Sequence, residues 1–250
     1  MIPQGIADFY AANQELLWLT TLLLDLGGTF VLYRLFGKAG LQVAIATAII
    51  LANLQGPKLT IIFGLETSLG VIFYSSIFFA TDVLSENYGK HEATRAVWMG
   101  FTVSVIVLLM MSLGLLYLPS TNPKTAAFSA DIQDAFSTIL NFSPRFVFGS
   151  LLAYLISQRF DVWAFHKIKA YTGERWLWLR NNGSTMASQL LDTSIYSLVV
   201  WWGTVDLQTA FALGAAKYVF KLVIAAVDTI FIYWARHNFL KRHRAELQAT

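Results

Sequence analysis

Long apolar runs, separated by short polar segments, follow one another from residue 16 to residue 235. Each run is about as long as the ~17–25 residues that a helix needs to cross a bilayer. We therefore predict an all-α fold, a polytopic membrane helix bundle that forms one transmembrane domain over residues 1–250. The seven predicted spans are about 16–36, 40–63, 68–88, 93–118, 143–166, 183–203 and 208–235.

Two segments interrupt this regular pattern. The second span contains Gln55-Gly56-Pro57-Lys58, and because proline removes a helix hydrogen bond, we expect the helix to be broken near 56–57 by a kink or an unwound turn. The only sizeable loop, about 119–142, is expected on the outer side, where it is either a plain connector or a lid.

Charge fixes the expected orientation of the spans. Of the 18 Lys and Arg residues, thirteen fall on one side of the predicted bundle, three on the other and two inside the last span. The positive-inside rule then places the N-terminus outside and the C-terminus in the cytoplasm. The same rule explains the basic excess beside the spans, so we expect no nucleic-acid partner.

Composition narrows the class of protein further. The chain is 56% hydrophobic and only 13% charged, whereas soluble domains average about 25% charged residues. It has no cysteine, which excludes disulfides, a thiol nucleophile and a thiolate metal site.

Two carboxylates share one helical face at the inner end of the third span. Asp82 and Glu86 are four residues apart, which places them one helical turn apart. Glu86 has a candidate local partner in Lys90, whereas Asp82 lies within the apolar run and has none. Because a buried charge is costly, we expect Asp82 to face a polar cavity.

The sixth and seventh spans each carry a polar stripe. Ser184, Ser188, Asp192 and Tyr196 follow one face of the sixth, with Gln189 beside them, and Gly214, Lys217, Lys221, Ala225 and Asp228 follow one face of the seventh. Asp192 and Lys217 both fall near the predicted midplane. Two interpretations remain: Asp192 and Lys217 form a structural ion pair, or they line a polar cavity. The second interpretation is compatible with the ion pair.

Polar residues also mark the first two spans. Asn53 and Gln55 flank the predicted break, where their amides either bind the edge of a heterocycle or satisfy backbone groups freed by the break. Asp25 lies beside Gly27-Gly28 and is expected to make a helix-packing contact.

Several unusual strings resemble the bacterial queuosine precursor transporters, a vitamin-uptake-like family. They are ATDVLSENYGK at 80–90 with EATRAVWMGF at 92–101, LANLQGPK at 51–58, GSLLAYLISQRFDVWAF at 149–165, LWLRNNGSTMASQLLDT at 177–193 and KYVFKLVIAAVD at 217–228. The resemblance covers about residues 40–235, and the first span looks like the extra N-terminal helix of longer family members.

The resemblance implies that the chain imports 7-deazaguanine bases, in the 7-cyano or 7-aminomethyl form or as queuine, across the bacterial inner membrane. By the family motif, Asn53, Asp82, Asp192 and Lys221 are carried over as ligands. The full predicted substrate-binding set is Asn53, Gln55, Asp82, Glu86, Gln189, Asp192, Lys217 and Lys221, with Tyr74, Phe78 and Phe79 as stacking candidates. Carboxylates would accept from the N–H edge of the base, and amides or lysines would donate to its carbonyl.

The expected partners are therefore a small-molecule base and the lipid bilayer, with a homodimer as an open alternative and no cofactor or metal. Three other functions remain as alternatives: transport of another small polar solute, a substrate-binding subunit that needs a separate ATPase, and an intramembrane enzyme. The intramembrane enzyme is the weakest of these alternatives, because the four histidines of the chain lie away from the predicted midplane and no HExxH or G-x-S-x-G motif is present. The chain also has no Walker A motif, so it does not hydrolyse ATP by itself.

Overall fold

A computed structural model describes residues 3–56, 58–140, 144–200, 203 and 206–249. Their elements, in chain order, are α1 Gln4–Ala12, α2 Gln14–Gln55, β1 Leu59–Ile62, β2 Leu65–Ser68, α3 Gly70–Asn87, α4 Lys90–Gly114, α5 Ala126–Leu140, α6 Pro144–Thr172, α7 Leu177–Val200 and α8 Leu207–Ala249.

The first two predicted spans are the two halves of α2. At 42 residues, this helix would extend about 63 Å if it were straight, which is twice the ~30 Å hydrocarbon core of a bilayer. Gly37 breaks it with φ 59° and ψ −133°, a conformation that only glycine adopts without strain. The chain reverses there: Asp25 in the first half bonds Ser76 of α3, whereas Ala52 in the second half lies against Gly70 at the start of α3.

The second span is shorter than predicted, because its helix ends at Gln55 and does not resume before residue 63. Residues 59–68 form instead a two-stranded antiparallel hairpin, in which Ile62 is paired with Leu65. Phe63 and Gly64 both have positive φ, as the favoured two-residue hairpin turn requires. The expected interruption at this point is thus the start of a hairpin. Pro57, the residue on which that expectation partly rested, lies outside the described residues.

Within the described residues, seven long helical segments alternate in direction: the two halves of α2, then α3, α4, α6, α7 and α8. Contacts between neighbouring helices, such as those of Tyr33 with Asn87 and Lys169 with Glu86, fix the relative directions of the helices. We call the end that carries residues 59–68 the hairpin end. The opposite end, which carries Lys169, Arg180 and Arg236 around Glu86, is the basic end.

The interior of the bundle is polar at its centre. α3 is buried along most of its length, and side chains on α6, α7 and α8 add further buried polar groups around it, including Gln158, Arg180 and Lys221. Large apolar side chains such as Leu24, Leu109 and Ile230 face outward. This arrangement, apolar outside and polar within, is the one expected in lipid.

Three helices in the described part of the chain are long and apolar enough to cross a membrane: Gln14–Gln55, Lys90–Gly114 and Leu207–Lys241. The other long helices carry more of the buried polar residues. The chain is accordingly a mostly helical membrane protein. Two short helices were not predicted, α1 at the N-terminus and α5 within the loop 119–142, and neither has a buried residue.

Candidate functional site

A cavity opens at the hairpin end and reaches into the middle of the bundle. The space within it is about 680 Å³, a volume that includes space open to the outside. Its mouth is formed by Gly56, Ser68 and Gly70. The end of α2 at Gln55 and the hairpin that follows it therefore shape the entrance.

The floor of the cavity is built around the carboxylate of Asp192 on α7. Tyr74 donates its hydroxyl to Asp192 Oδ1 at 2.8 Å, and Ser157 donates to the same oxygen at 3.4 Å. Lys221 forms an ion pair with the other oxygen, and its ammonium lies 5.0 Å from the ring centroid of Tyr74. Four helices thus hold one charged group at the bottom of the cavity.

The walls add amide, hydroxyl and aromatic groups. Asn53 lines the cavity and donates to Ser104 Oγ at 3.1 Å. Tyr154 and Tyr196 present aromatic surface, and the ammonium of Lys217 lies 3.7 Å from the ring centroid of Tyr196. The site therefore offers a donor, acceptors, a cation and rings within one volume.

A second polar cluster lies closer to the basic end and outside this cavity. Asp82 on α3, Asp161 on α6 and Asp228 on α8 are all buried. Asp82 accepts from Thr185 at 3.0 Å, Asp161 from Ser188 at 2.8 Å and Asp228 from Asn181 at 3.0 Å. We call these three carboxyl groups the acid cluster.

The third polar cluster surrounds Glu86 at the basic end. Arg180 donates to both of its carboxylate oxygens, at 2.6 and 3.0 Å, Lys169 lies 3.1 Å away and Arg236 3.2 Å away. A paired, bidentate arrangement of this kind is the strong form of a charge-assisted contact. The Glu86 cluster ties α3, α6, α7 and α8 together at this end.

The cavity brings together only part of the predicted set. Asn53, Tyr74, Asp192 and Lys217 line it. The remaining predicted residues are not among its lining: Gln55, Phe78, Phe79, Asp82, Glu86, Gln189 and Lys221. Of these, Lys221 supports the floor through Asp192, and Phe78 packs against Tyr74 with ring centroids 5.7 Å apart.

Two of the candidate pairings left open by the sequence are not the ones that form. Asp192 pairs with Lys221, one turn along α8, and not with Lys217; both lysines lie on the predicted stripe, and spacing alone does not choose between them. Glu86 pairs with basic residues of other helices and not with Lys90, because its side chain points into the bundle. Asp82 is buried as expected, but it faces other carboxyl groups and does not line the cavity.

The sequence prediction missed several residues of these clusters. Asp161 follows Gln158 by three residues inside an apolar run, a spacing that could have marked a polar face. Arg180 was assigned to a loop, since the sixth span was predicted to begin at 183, whereas α7 begins at Leu177 and buries Arg180 fully.

A helix bundle with an apolar exterior, a polar interior and a cavity open at one end has the architecture of a membrane transporter. Residues 68–235 match the family described as "Putative vitamin uptake transporter". The chain is 40% identical over 206 residues to the "Probable queuosine precursor transporter" of Bacillus subtilis (strain 168), which covers 82% of this chain and 86% of that protein. It is 24% identical over 191 residues to the "Queuosine precursor transporter" of Escherichia coli (strain K12), covering 74% and 79%. No solved structure matches the chain.

The chain therefore belongs to this vitamin uptake transporter family. The resemblance drawn from the sequence strings is confirmed, and the protein is a multi-pass transporter of the bacterial cytoplasmic membrane. The alternative of an intramembrane enzyme is set aside, because these relatives are named as transporters.

Proposed function

We propose that this protein imports queuosine precursors, 7-deazaguanine bases in the 7-cyano or 7-aminomethyl form or as queuine. The observation that carries the proposal is the cavity that ends on Asp192 with Asn53, Tyr74 and Lys217 in its wall. The names of the two relatives support the same substrate class.

The lining matches the chemistry of a flat, guanine-like base. A carboxylate accepts two N–H groups of such an edge in one plane, and Asp192 is the carboxylate of the cavity. Asn53 would pair with the carbonyl and ring nitrogens, and the tyrosine rings would cover the faces. Of the predicted ligands, we retain Asn53, Asp192 and Lys217, with Tyr74 for stacking.

We propose further that the seven alternating segments are seven membrane spans, with the N-terminus outside and the C-terminus in the cytoplasm. The grouping of Lys169, Arg180 and Arg236 at one end of the bundle supports this orientation. The cavity would then open to the outside.

Since the chain has no cysteine, single cysteines introduced at Glu66 and Arg175 would report the orientation. An impermeant thiol reagent added to intact cells should label the cysteine at 66 and spare the cysteine at 175. A homodimer stays a prediction, which the mass of the purified protein would test.

The decisive experiment is uptake of a labelled 7-deazaguanine base by the purified chain in liposomes. We expect uptake without any added ATPase, with competition by guanine-like bases and none by unrelated polar solutes. Uptake only in the presence of an ATPase partner would favour the substrate-binding subunit, and equal competition by unrelated solutes would favour a different transporter.

The two amides at the C-terminal end of α2, Asn53 and Gln55, provide a matched pair of variants. Asn53→Ala should weaken base binding about two- to tenfold, since a lost hydrogen bond is worth about 0.5–1.5 kcal/mol. Gln55→Ala should change it less than about twofold, because Gln55 does not line the cavity. Equal affinities for Asn53→Ala and the wild type would argue against this site.

A further inference from the structure

The acid cluster holds carboxyl groups that the cavity does not use. Asp82, Asp161 and Asp228 are each buried, with at most 1% of the residue exposed. Among the described residues, the ion pairs of the interior involve Glu86 and Asp192, and none reaches these three. Three ionised carboxylates without a cation would be very costly in this environment.

Atoms in the cluster lack hydrogen-bond partners. Asp82 Oδ1 and Asp161 Oδ2 have no donor within the described part of the protein, and neither does the side-chain oxygen of Asn181, although the Asn181 amide points at Asp228. The two acids lie against the same stretch of α7, because Thr185 donates to Asp82 and Ser188, three residues further on, donates to Asp161. Two neighbouring buried acids, each with an oxygen that finds no donor, are expected to share a proton.

The helices α6, α7 and α8 present acids and neutral groups to the pair. α8 presents Asp228, a further buried acid, and α7 presents the buried neutral groups Ser184, Thr185 and Ser188. α6 presents Asp161 itself and the amide of Gln158, whose Nε2 has no acceptor. No group of three or more acids and histidines in the described residues converges as metal ligands would. A proton fits this geometry better than a metal ion.

The pair is also connected to the cavity floor. Ser188, which donates to Asp161, lies one turn from Asp192 on α7, and Ser157, which donates to Asp192, lies one turn from Asp161 on α6. The two sites therefore share two helices at successive turns. A change of charge at one site is felt at the other over this short, buried distance.

We propose that Asp82 and Asp161 form a proton-binding site and that a proton bound there is carried inward together with the base. The proton enters from the hairpin end, neutralises the pair, and leaves toward the basic end when the carrier has released its cargo. The coupling rests on the proposed function, whereas the proton site itself does not.

Uptake into liposomes with the membrane potential clamped tests the coupling. With the outside one pH unit more acidic, the wild type should accumulate base up to about tenfold for each proton coupled, since one pH unit is worth about 1.4 kcal/mol. Asp161→Asn should lose this accumulation and still exchange labelled for unlabelled base. Asp25→Asn is the matched control: Asp25 is a half-buried acid bonded to Ser76 and outside the cluster, so it should accumulate base like the wild type.

Three results would overturn the coupling: accumulation by the wild type that does not depend on the pH gradient, accumulation that follows a sodium gradient at equal pH, or accumulation by Asp161→Asn that equals that of the wild type.

A measurement without substrate tests the proton site alone. Infrared difference spectra of the purified protein between acidic and alkaline pH should contain a protonated carboxyl band of the Asp82–Asp161 pair, separate from the bands of Asp25 and Asp228, that is lost in Asp161→Asn and kept in Asp25→Asn.

The two measurements separate the proposals. If the wild type neither binds nor exchanges the base, the proposed function fails, and loss of the infrared band in Asp161→Asn still supports the proton site. Persistence of the full band in that variant would overturn the site itself.

Discussion

Two lysines on one face of α8 have different partners, and the difference is decided by one helical turn. Lys221 is buried and paired with Asp192, whereas Lys217 is half-buried, lines the cavity and lies against the ring of Tyr196. A buried charge that loses its directly paired counter-charge is strongly destabilising, whereas a cation over a ring contributes less. Lys221 is therefore the structural residue of the two.

We expect Lys221→Met to destabilise the protein by about 3–5 kcal/mol, because it leaves Asp192 charged and buried. Lys217→Met should cost about 0.5–2 kcal/mol. Thermal denaturation of the purified proteins in one detergent compares them. The double variant Asp192→Asn/Lys221→Met should recover part of the loss, since no unpaired charge remains. A larger loss for Lys217→Met than for Lys221→Met would contradict this assignment.

At this scale the sequence predicted which residues are polar and buried, but not which of them meet. Asp82, Asp192 and Lys221 were recognised because charges inside apolar runs are rare. Their partners come from other helices, and helical spacing carries no information about rotation between helices. Glu86 illustrates this: its candidate partner at i+4 was Lys90, but its actual partners, Lys169, Arg180 and Arg236, are at least 83 residues away in sequence.

α2 shows how one residue sets the path of a long element. Gly37 has φ 59° and ψ −133°, a region of backbone space that is essentially restricted to glycine. A Cβ at this position would also lie 3.4 Å from the hydroxyl of Tyr88. The reversal that makes two antiparallel helices out of α2 therefore depends on the absence of a side chain there.

Gly37→Ala should destabilise the protein by about 1–3 kcal/mol, the usual cost of a residue in such a conformation. Gly27→Ala is the control within the same element: its Cβ would meet nothing within 4 Å, and alanine is the better helix former by up to about 1 kcal/mol. Melting temperatures measured side by side should fall for the first and stay level or rise for the second. A similar fall for both would show that Gly37 is not a special position.

The sequence predicted long elements better than short ones. Apolar runs of more than 17 residues identified the helical segments, because length and composition together mark a span. The first strand of the hairpin, Leu59–Ile62, was absorbed into the second predicted span, since three of its four residues are apolar and a short apolar run does not distinguish strand from helix. α5 was missed because its 15 residues are amphipathic and unburied, so hydrophobicity alone describes it as part of a loop.

The whole molecule is open at one end and closed at the other. The cavity begins at the hairpin end, whereas the Glu86 cluster joins α3, α6, α7 and α8 at the basic end. Arg180 reinforces the closure by donating to the backbone carbonyls of Gly173 and Arg175 at 3.1 and 2.9 Å. A transporter that releases its cargo at the basic end has to separate these four helices, so the Glu86 cluster holds the arrangement that is open at the hairpin end.

Glu86→Gln should weaken this closure, because it removes the carboxylate that Arg180 contacts within the described part of the chain while leaving the buried guanidinium in place. The cost of breaking a buried pair is about 3–5 kcal/mol, far more than the ~1.4 kcal/mol that changes a population tenfold. A cysteine at Ser85, a position buried beside Glu86, reports the opening. In liposomes with the basic end outward, the reaction of this cysteine with an impermeant thiol reagent should accelerate at least about tenfold in the Glu86→Gln background.

Glu174→Gln is the control, since Glu174 also pairs with Arg236 but has 72% of its side chain exposed, and exposed pairs contribute only about 0–1 kcal/mol. Unchanged reaction in the Glu86→Gln background would mean that other contacts hold the basic end closed.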